Sequence, residues 1–229
     1  EFRSPITAIK IELYLLSREK DSQKQAARIH QIEKRAVELI ELVDDLKAMA
    51  TVDYAEHTAV EIIDLNAVTR TAYQIALGQS SHSSQLIRLK THSGDLQLLA
   101  NRDELLRAFI EVISNAIRYT PPTGSIVINT ASQEGRHTVT VTDDGQGMDE
   151  ATLASAFMRF QRGDAAHTTR GLGLGLPMTK RIIERNNGNI SIISKPHEGT
   201  TIIMTFPQLE NQDIFSANLN DRLSSSLLG

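Results

Sequence analysis

The chain contains no cysteine, which removes disulfide frameworks and thiolate metal sites from consideration. It also has no run approaching the ~18–20 consecutive apolar residues of a membrane span, and no signal-peptide pattern opens it. Any membrane anchor is therefore expected outside these residues. Positive charge is not in excess: 24 Lys and Arg stand against 28 Asp and Glu, for a net charge of −4. A surface of that balance offers no broad basic face to nucleic acid or to an anionic membrane, so no nucleic-acid partner is expected. No His, Asp or Glu cluster has metalloenzyme spacing, and no serine lies in a nucleophile elbow. What remains is 229 residues with 40% hydrophobic and 23% charged content, enough for one core of ~100–200 residues and a smaller satellite unit.

Two periodicities divide the chain. Ile6, Ile9, Leu13 and Leu16 recur at spacings of three and four, and after "SREKDSQ" the pattern resumes as Ile29, Ile32, Ala36, Leu39, Val43 and Leu46. This is an apolar seam on two helices, and the short break folds them into an antiparallel hairpin. One narrow stripe per helix cannot enclose a core. A second copy would complete a four-helix bundle, so a homodimer is expected, with packing on the rest of the same chain as the alternative. After "TVDYAEHTA" the pattern changes to short β-rich runs, "VEIIDL", "LIRLKT", "DLQLLA", "GSIVINTA", "RHTVTVT", "NISIIS" and "TTIIMTF", with helical windows at about 67–78, 102–118, 150–160 and 176–186. The expected fold is α+β: a helical hairpin followed by an α/β sandwich on a mixed, largely antiparallel sheet. The expected division is a hairpin over 1–55, an α/β unit over 60–208 and a weakly ordered polar tail over 209–229.

Four stretches carry chemistry. In "EVISNAIRYTPPTG", Glu111 and Asn115 stand four apart on one helix face, which presents a carboxylate and an amide together, hard ligands suited to Mg²⁺ with phosphates. Arg118 and Tyr119 follow on the next turn. In "VTVTDDGQGMDE" a β run ends at Asp143 and Asp144, and Gly145 and Gly147 allow a turn; a carboxylate fixed there can accept from an exocyclic amine such as that of adenine. "AFMRFQRGD" precedes "RGLGLGLPMTKRIIERNNG", where Gly171, Gly173 and Gly175 alternate ahead of a helix whose first turn holds Pro177. Backbone N–H groups at such a start make a phosphate cradle. It is not a P-loop, it lacks the strand a Rossmann fingerprint needs, and the H-R-D and D-F-G of protein kinases are absent.

In order and spacing, "EVISNAIRYTPPTG", "DDGQGM", "FMRFQRG" and "GLGLGLPM" resemble the asparagine, first glycine, phenylalanine and second glycine boxes of the histidine kinase catalytic domain, in the ATP-binding superfamily that also holds gyrase, Hsp90 and MutL. The resemblance runs from about Ile62 to Pro207. "EFRSPITAI" in turn resembles the H-box of the same kinases with its histidine immediately before Glu1.

The resemblance implies an ATP site in which Asp143 holds the adenine amino group, Gly145 and Gly147 shape the pocket, and Asn115 ligates Mg²⁺. Glu111 is a second candidate for the metal and for catalysis. It further implies that Arg118 and Tyr119 contact phosphate and adenine, that a mobile lid runs from Asp149 to about Gly173 with Phe160 anchoring it and Arg162 reaching the phosphates, and that Gly171, Leu172, Gly173, Leu174 and Gly175 cradle the nucleotide. A threonine of the last strand lies near adenine in such sites, and spacing leaves Thr200 and Thr201 both open. Glu1 takes the place of the acidic residue that orients or deprotonates the phosphoacceptor, and Ser4 stands where the family places Thr or Asn for phosphatase work. The implied function is transfer of the ATP γ-phosphate to that histidine, then to an aspartate on the receiver domain of a response regulator. The implied setting is the cytoplasm, with an upstream sensor or membrane module in the parent. Two alternatives stand beside it: an ATP-hydrolysing clamp of the same superfamily, since Glu111 and Asn115 also match its E-x-x-x-N, and a nonenzymatic ATP-binding scaffold. The histidines His30, His57, His82, His92, His137, His167 and His197 are expected on surface or in loops.

Overall fold

The computed structural model describes residues 3–33, 35, 36, 39, 43, 60–79, 84–158 and 174–209. Helix α1 (Arg3–Leu16) and helix α2, described over 22–33, form the expected hairpin. Asp21 accepts from the N–H groups of Gln23 and Lys24 and so caps α2, and Gln25 Nε2 donates to the Glu19 carbonyl at 2.7 Å to close the connection. Arg28 Nη1 reaches across to Glu12 Oε2 at 2.9 Å. None of the described side chains of α1 and α2 is buried, and Ile6, Leu13 and Ile29 of the seam are exposed, Leu13 by 50%.

From Glu61 the chain builds the sandwich. Strand β1 (Glu61–Asp64) pairs antiparallel with β3 (Gln97–Ala100) as a small sheet. The main sheet has the order β2-β4-β5-β7-β6, from β2 (Leu86–Lys90), β4 (Ser125–Gln133), β5 (Arg136–Asp143), β6 (Asn189–Lys195) and β7 (Gly199–Pro207). Only β2 and β4 are parallel. The β4–β5 connection is a two-residue turn at Glu134 and Gly135, both at positive φ, as the sequence pattern predicts for a hairpin. Helices α3 (Leu65–Gln79), α4 (Arg102–Tyr119) and α6 (Gly175–Arg185) pack together over one sheet face, and short α5 (Glu150–Ser155) follows the β5 turn.

Alternation along the strands decides what faces the helices. On β5, His137, Val139, Val141 and Asp143 point inward, while Thr138, Thr140 and Thr142 point out. On β7 the inward set is Thr200, Ile202, Met204 and Phe206. Phe206 meets Phe109 of α4 edge to face, with centroids 6.3 Å apart, and Leu105, Val112 and Ile113 complete that layer. Polar ties fix the helices on this core. Asp64 accepts from the N–H groups of Asn66 and Ala67 and so caps α3, and the buried Asn66 accepts from the Thr130 hydroxyl at 2.6 Å. Asn101 caps α4 through the Glu104 N–H at 2.8 Å.

His137 corrects the expectation that every histidine lies at the surface or in a loop. It is 5% exposed on β5, within 3.1 Å of the Gln97 carbonyl and 3.2 Å of Ser132 Oγ, and so joins the small sheet to the main one. A carbonyl acceptor on one ring nitrogen and a hydroxyl able to donate to the other let a neutral imidazole replace an apolar residue there.

Candidate nucleotide site

Helix α4 ends beside the turn that follows β5, and α6 begins against the same helix at Glu111. Asp143 is the last inward residue of β5 and is 9% exposed. Its Oδ1 accepts from the Gly145 N–H at 2.9 Å, and the Thr200 N–H also donates to the carboxylate. Burial nevertheless outweighs these donors and raises its pKa above the ordinary carboxylate value. Asp144, one residue on, points the other way. It accepts from the Ser125 N–H at 2.7 Å and the Ser125 hydroxyl at 2.8 Å, and those bonds lower its pKa.

The register separates the two threonines. Thr200 pairs with Asp143 and shares its inward side, whereas Thr201 pairs with Thr142 and donates to that hydroxyl on the opposite face at 3.1 Å. Sequence reasoning missed Ser194, the third residue of this group. Its hydroxyl accepts from the Met148 N–H, donates to the Gly199 carbonyl and lies within reach of Thr200 Oγ1, each at 2.9 Å. The inward alternation Ile190, Ile192, Ser194 carries the signal that would have found it.

The turn is held against α4 by the Gln146 N–H, which donates to the Tyr119 carbonyl at 3.2 Å. Gly147 sits at φ +65°, and a Cβ there would run into the Lys195 carbonyl. Tyr119 is half-buried, and Arg118 is exposed at the end of α4.

Glu111 and Asn115 stand on one face of α4, with Asn115 Nδ2 donating to Glu111 Oε1 at 3.2 Å. The same Oε1 lies against Gly175, in the space a Cβ would take, so α6 begins in contact with the Glu111 carboxylate. Leu174, the residue before α6, makes no side-chain capping bond. Asp143, Gly145, Gly147 and Thr200 thus gather at the turn that follows β5, and Glu111, Asn115, Leu174 and Gly175 gather where α6 begins against α4. Glu1, Phe160, Arg162, Gly171, Leu172 and Gly173 lie outside the described residues, as does most of the lid segment. Asp149, the expected start of that segment, caps α5 through the Thr152 N–H at 2.7 Å. Ser4 falls in the first turn of α1. No group of three metal-ligating side chains occurs among the described residues.

Donor chemistry suits a nucleotide with its cation. A buried carboxylate acceptor faces one wall, an amide and a carboxylate share another, and a helix start approached without a side chain adjoins them.

Residues 100–210 match the family model of histidine kinase-, DNA gyrase B-, and HSP90-like ATPases. The heme sensor protein HssS of Staphylococcus saprophyticus is 29% identical over 210 residues, which cover 91% of this chain and 45% of that protein. The cell-division control histidine kinase PdhS of Brucella abortus is 26% identical over 223 residues, 90% of this chain and 22% of that protein. The chain thus spans less than half the length of these relatives. Among solved structures, histidine kinase ThkA in complex with response regulator protein TrrA superposes with a TM-score of 0.71 at 22% identity, over 91% of this chain and 59% of that one. Full-length ShkA in complex with AMPPNP gives 0.68 at 20% identity, over 90% and 44%. These likenesses establish the shared fold, and over residues 100–210 the chain is similar to the histidine kinase-, DNA gyrase B- and HSP90-like ATPases.

Proposed function

We propose that this chain is the kinase core of a sensor histidine kinase, which binds ATP with Mg²⁺ and transfers the γ-phosphate to a histidine adjoining Glu1 in the parent protein and thence to an aspartate of a receiver domain. The observation that carries the reading is the placement of Asp143: an inward, nearly buried carboxylate paired with Thr200, across from a helix that presents Glu111 and Asn115 to the start of α6. Asp143 accepts from the adenine amine, while Thr200 and Ser194 hold the adjoining wall. Asn115 is the metal ligand on α4, and Arg118 and Tyr119 flank phosphate and base. Phe160 and Arg162 belong to the lid, and Gly171–Gly175 approach the phosphates by backbone. Mg²⁺, when bound, offsets the charge of the group being transferred. On this reading Glu1 orients the acceptor imidazole, and Ser4 holds a hydroxyl one turn further on.

The three-part division at 1–55, 60–208 and 209–229 belongs to the same proposal, as does a homodimer through the hairpin, whose seam residues Ile6, Leu13, Ile29 and Val43 are exposed. None of the described helices is long and apolar enough to cross a membrane. The proposed setting is the cytoplasmic side, with a sensor module in the parent. The function is tested by calorimetry with ADP and Mg²⁺ on this chain, and by γ-labelled ATP on a chain extended upstream by its native sequence. Binding followed by an acid-labile, alkali-stable label is the expected result. Free phosphate release without labelling would transfer the chain to the ATP-hydrolysing class.

A further inference from the structure

We propose that His137 is a proton-released latch: its neutral ring holds the Gln97 end of β3 and the chain's exit at Gln208 to the main sheet, and a second ring proton lets that corner open. Four segments meet there. His137 of β5 lies within 3.1 Å of the Gln97 carbonyl of β3 through Nε2, and within 3.2 Å of Ser132 Oγ of β4 through Nδ1. Gln208, just past β7, donates from Nε2 to the same Ser132 oxygen at 2.6 Å and from its backbone N–H to the Gly135 carbonyl at 3.0 Å.

This chain of bonds has one direction. A carbonyl only accepts, so Nε2 carries the proton of the neutral ring and Nδ1 is left as an acceptor. Ser132 then gives its hydrogen to Nδ1 and takes one from Gln208, which satisfies every member. A proton on Nδ1 breaks the sequence: the Ser132 hydroxyl loses its acceptor, and its oxygen faces two donors, the ring and Gln208. The new charge also sits on a residue only 5% exposed. The register sets Ser132 and Phe206 on either side of His137, and neither carries charge. Of the titratable groups that act on the ring, His92 repels a proton there and Asp64 attracts it. Asp64 is committed elsewhere, to the N–H groups of Asn66, Ala67 and Leu96 and to Arg70 at 3.5 Å. Burial accordingly holds the ring below its ordinary pKa.

The sign follows. A group folded in its neutral form holds the corner closed above the ordinary histidine value, and that hold is lost as pH falls through the lowered one. Leu98 and Ala100 keep the rest of β3 in the core, which confines the opening to the corner. Two passages of the chain depend on it. Asp64, the register partner of Gln97, caps the start of α3, and Gln208 is where the chain leaves β7.

The test is amide hydrogen exchange between about pH 7.5 and pH 5, expressed as protection corrected for the intrinsic pH dependence, on the parent chain and on His137→Gln. Glutamine keeps a donor for Gln97 and an acceptor for Ser132 but takes up no proton. Acidification is expected to cost the amides of Gln208 and β3 at least about fivefold in protection in the parent, while those of Ile126 and Ile128 in β4 hold, and to leave His137→Gln unchanged. Ring-nitrogen NMR on the parent gives a second reading should the variant fail to fold: the ring should carry its proton on Nε2 at the upper pH and titrate with the midpoint of the protection loss. A ring that titrates while Gln208 stays protected, a ring neutral throughout the window, or an equal acid loss in His137→Gln would each overturn the latch. So would a variant that loses protection alike at both pH values beside an unresponsive parent, the mark of a merely structural role.

Discussion

Replacing Asp143 by Asn changes one oxygen into an NH₂ group at a position with almost no water. Two backbone donors, the N–H groups of Gly145 and Thr200, point at the carboxylate. An amide has a single oxygen for them. Either an NH₂ group faces a backbone N–H inside the fold, or the amide turns and presents NH₂ to the adenine amine. A mispaired donor at such a site costs about 1–3 kcal/mol, equivalent to roughly 5- to 150-fold in Kd. Fold stability should change less, because burial already disfavours the Asp143 charge and a neutral amide relieves that penalty. The pH dependence carries a sign as well. Without nucleotide, the raised pKa means the folded chain holds the proton more tightly than the unfolded one, so this contribution to stability falls as pH rises through the raised value. An amine donating to the carboxylate favours its ionised form, so binding releases a proton and ADP affinity rises over that same window, then levels off. Calorimetry of ADP with Mg²⁺ across that range, on both proteins, measures both effects. Equal affinity for Asp143→Asn and parent, or the same pH slope in both, would refute the adenine assignment.

Charging the seam with Leu13→Glu and Val43→Glu together should give a folded monomer that still binds ADP, measured by light scattering; a parent chain already monomeric at every concentration would remove the dimer proposal. Burial lowers the pKa of His137, so acidification below its ordinary value forces a proton onto a group folded in the neutral form, and stability is lost as pH falls through that window. Thermal unfolding of His137→Gln should show a flatter pH profile than the parent between about pH 7 and pH 5, and parallel profiles would assign the acid sensitivity elsewhere.

The elements were legible because their signals are local. Alternation in "RHTVTVTD" and "GTTIIMTF" and the three-and-four spacing of α4 each specify a face before any tertiary contact exists. Asp143, Gly145, Gly147 and Asn115 could be singled out because turn and helix chemistry confine them to short motifs. Sheet order could not, since β7 lies between β5 and β6 and nothing in either strand names its neighbour. The choice between Thr200 and Thr201 depends on register across β5 and β7, a one-residue matter that reverses the face. His137 and Ser194 each continue an inward alternation, and His137 was expected at the surface because its polarity was read as exposure.

Asn186 ties the distal ends of α4 and α6 together, and its substitution tests how the fold sets the glycine-lined helix start. Its Oδ1 accepts from the Asn101 N–H at 2.7 Å, and its Nδ2 donates to Glu104 Oε2 at 3.1 Å and to the Ile182 carbonyl at 2.9 Å. The residue is buried, and Arg185 adds an ion pair to Glu104 at 3.5 Å. Asn186→Asp puts a carboxylate oxygen against a carboxylate and a carbonyl where a donor stood. A buried charge so placed costs about 3–5 kcal/mol, less whatever Arg185 recovers. Protonating the new Asp restores a donor, so the deficit should shrink as pH falls, which an apolar Asn186→Leu would not do. Gly175 begins α6 against Glu111, while this cluster closes its other end near Glu104, so loosening it frees the helix to slide along α4. ADP affinity should fall with stability in Asn186→Asp, measured where both proteins are fully folded. A destabilised variant with undiminished affinity would show that α6 is set against Glu111 by local contacts at its own start, and that the distal cluster serves the fold alone.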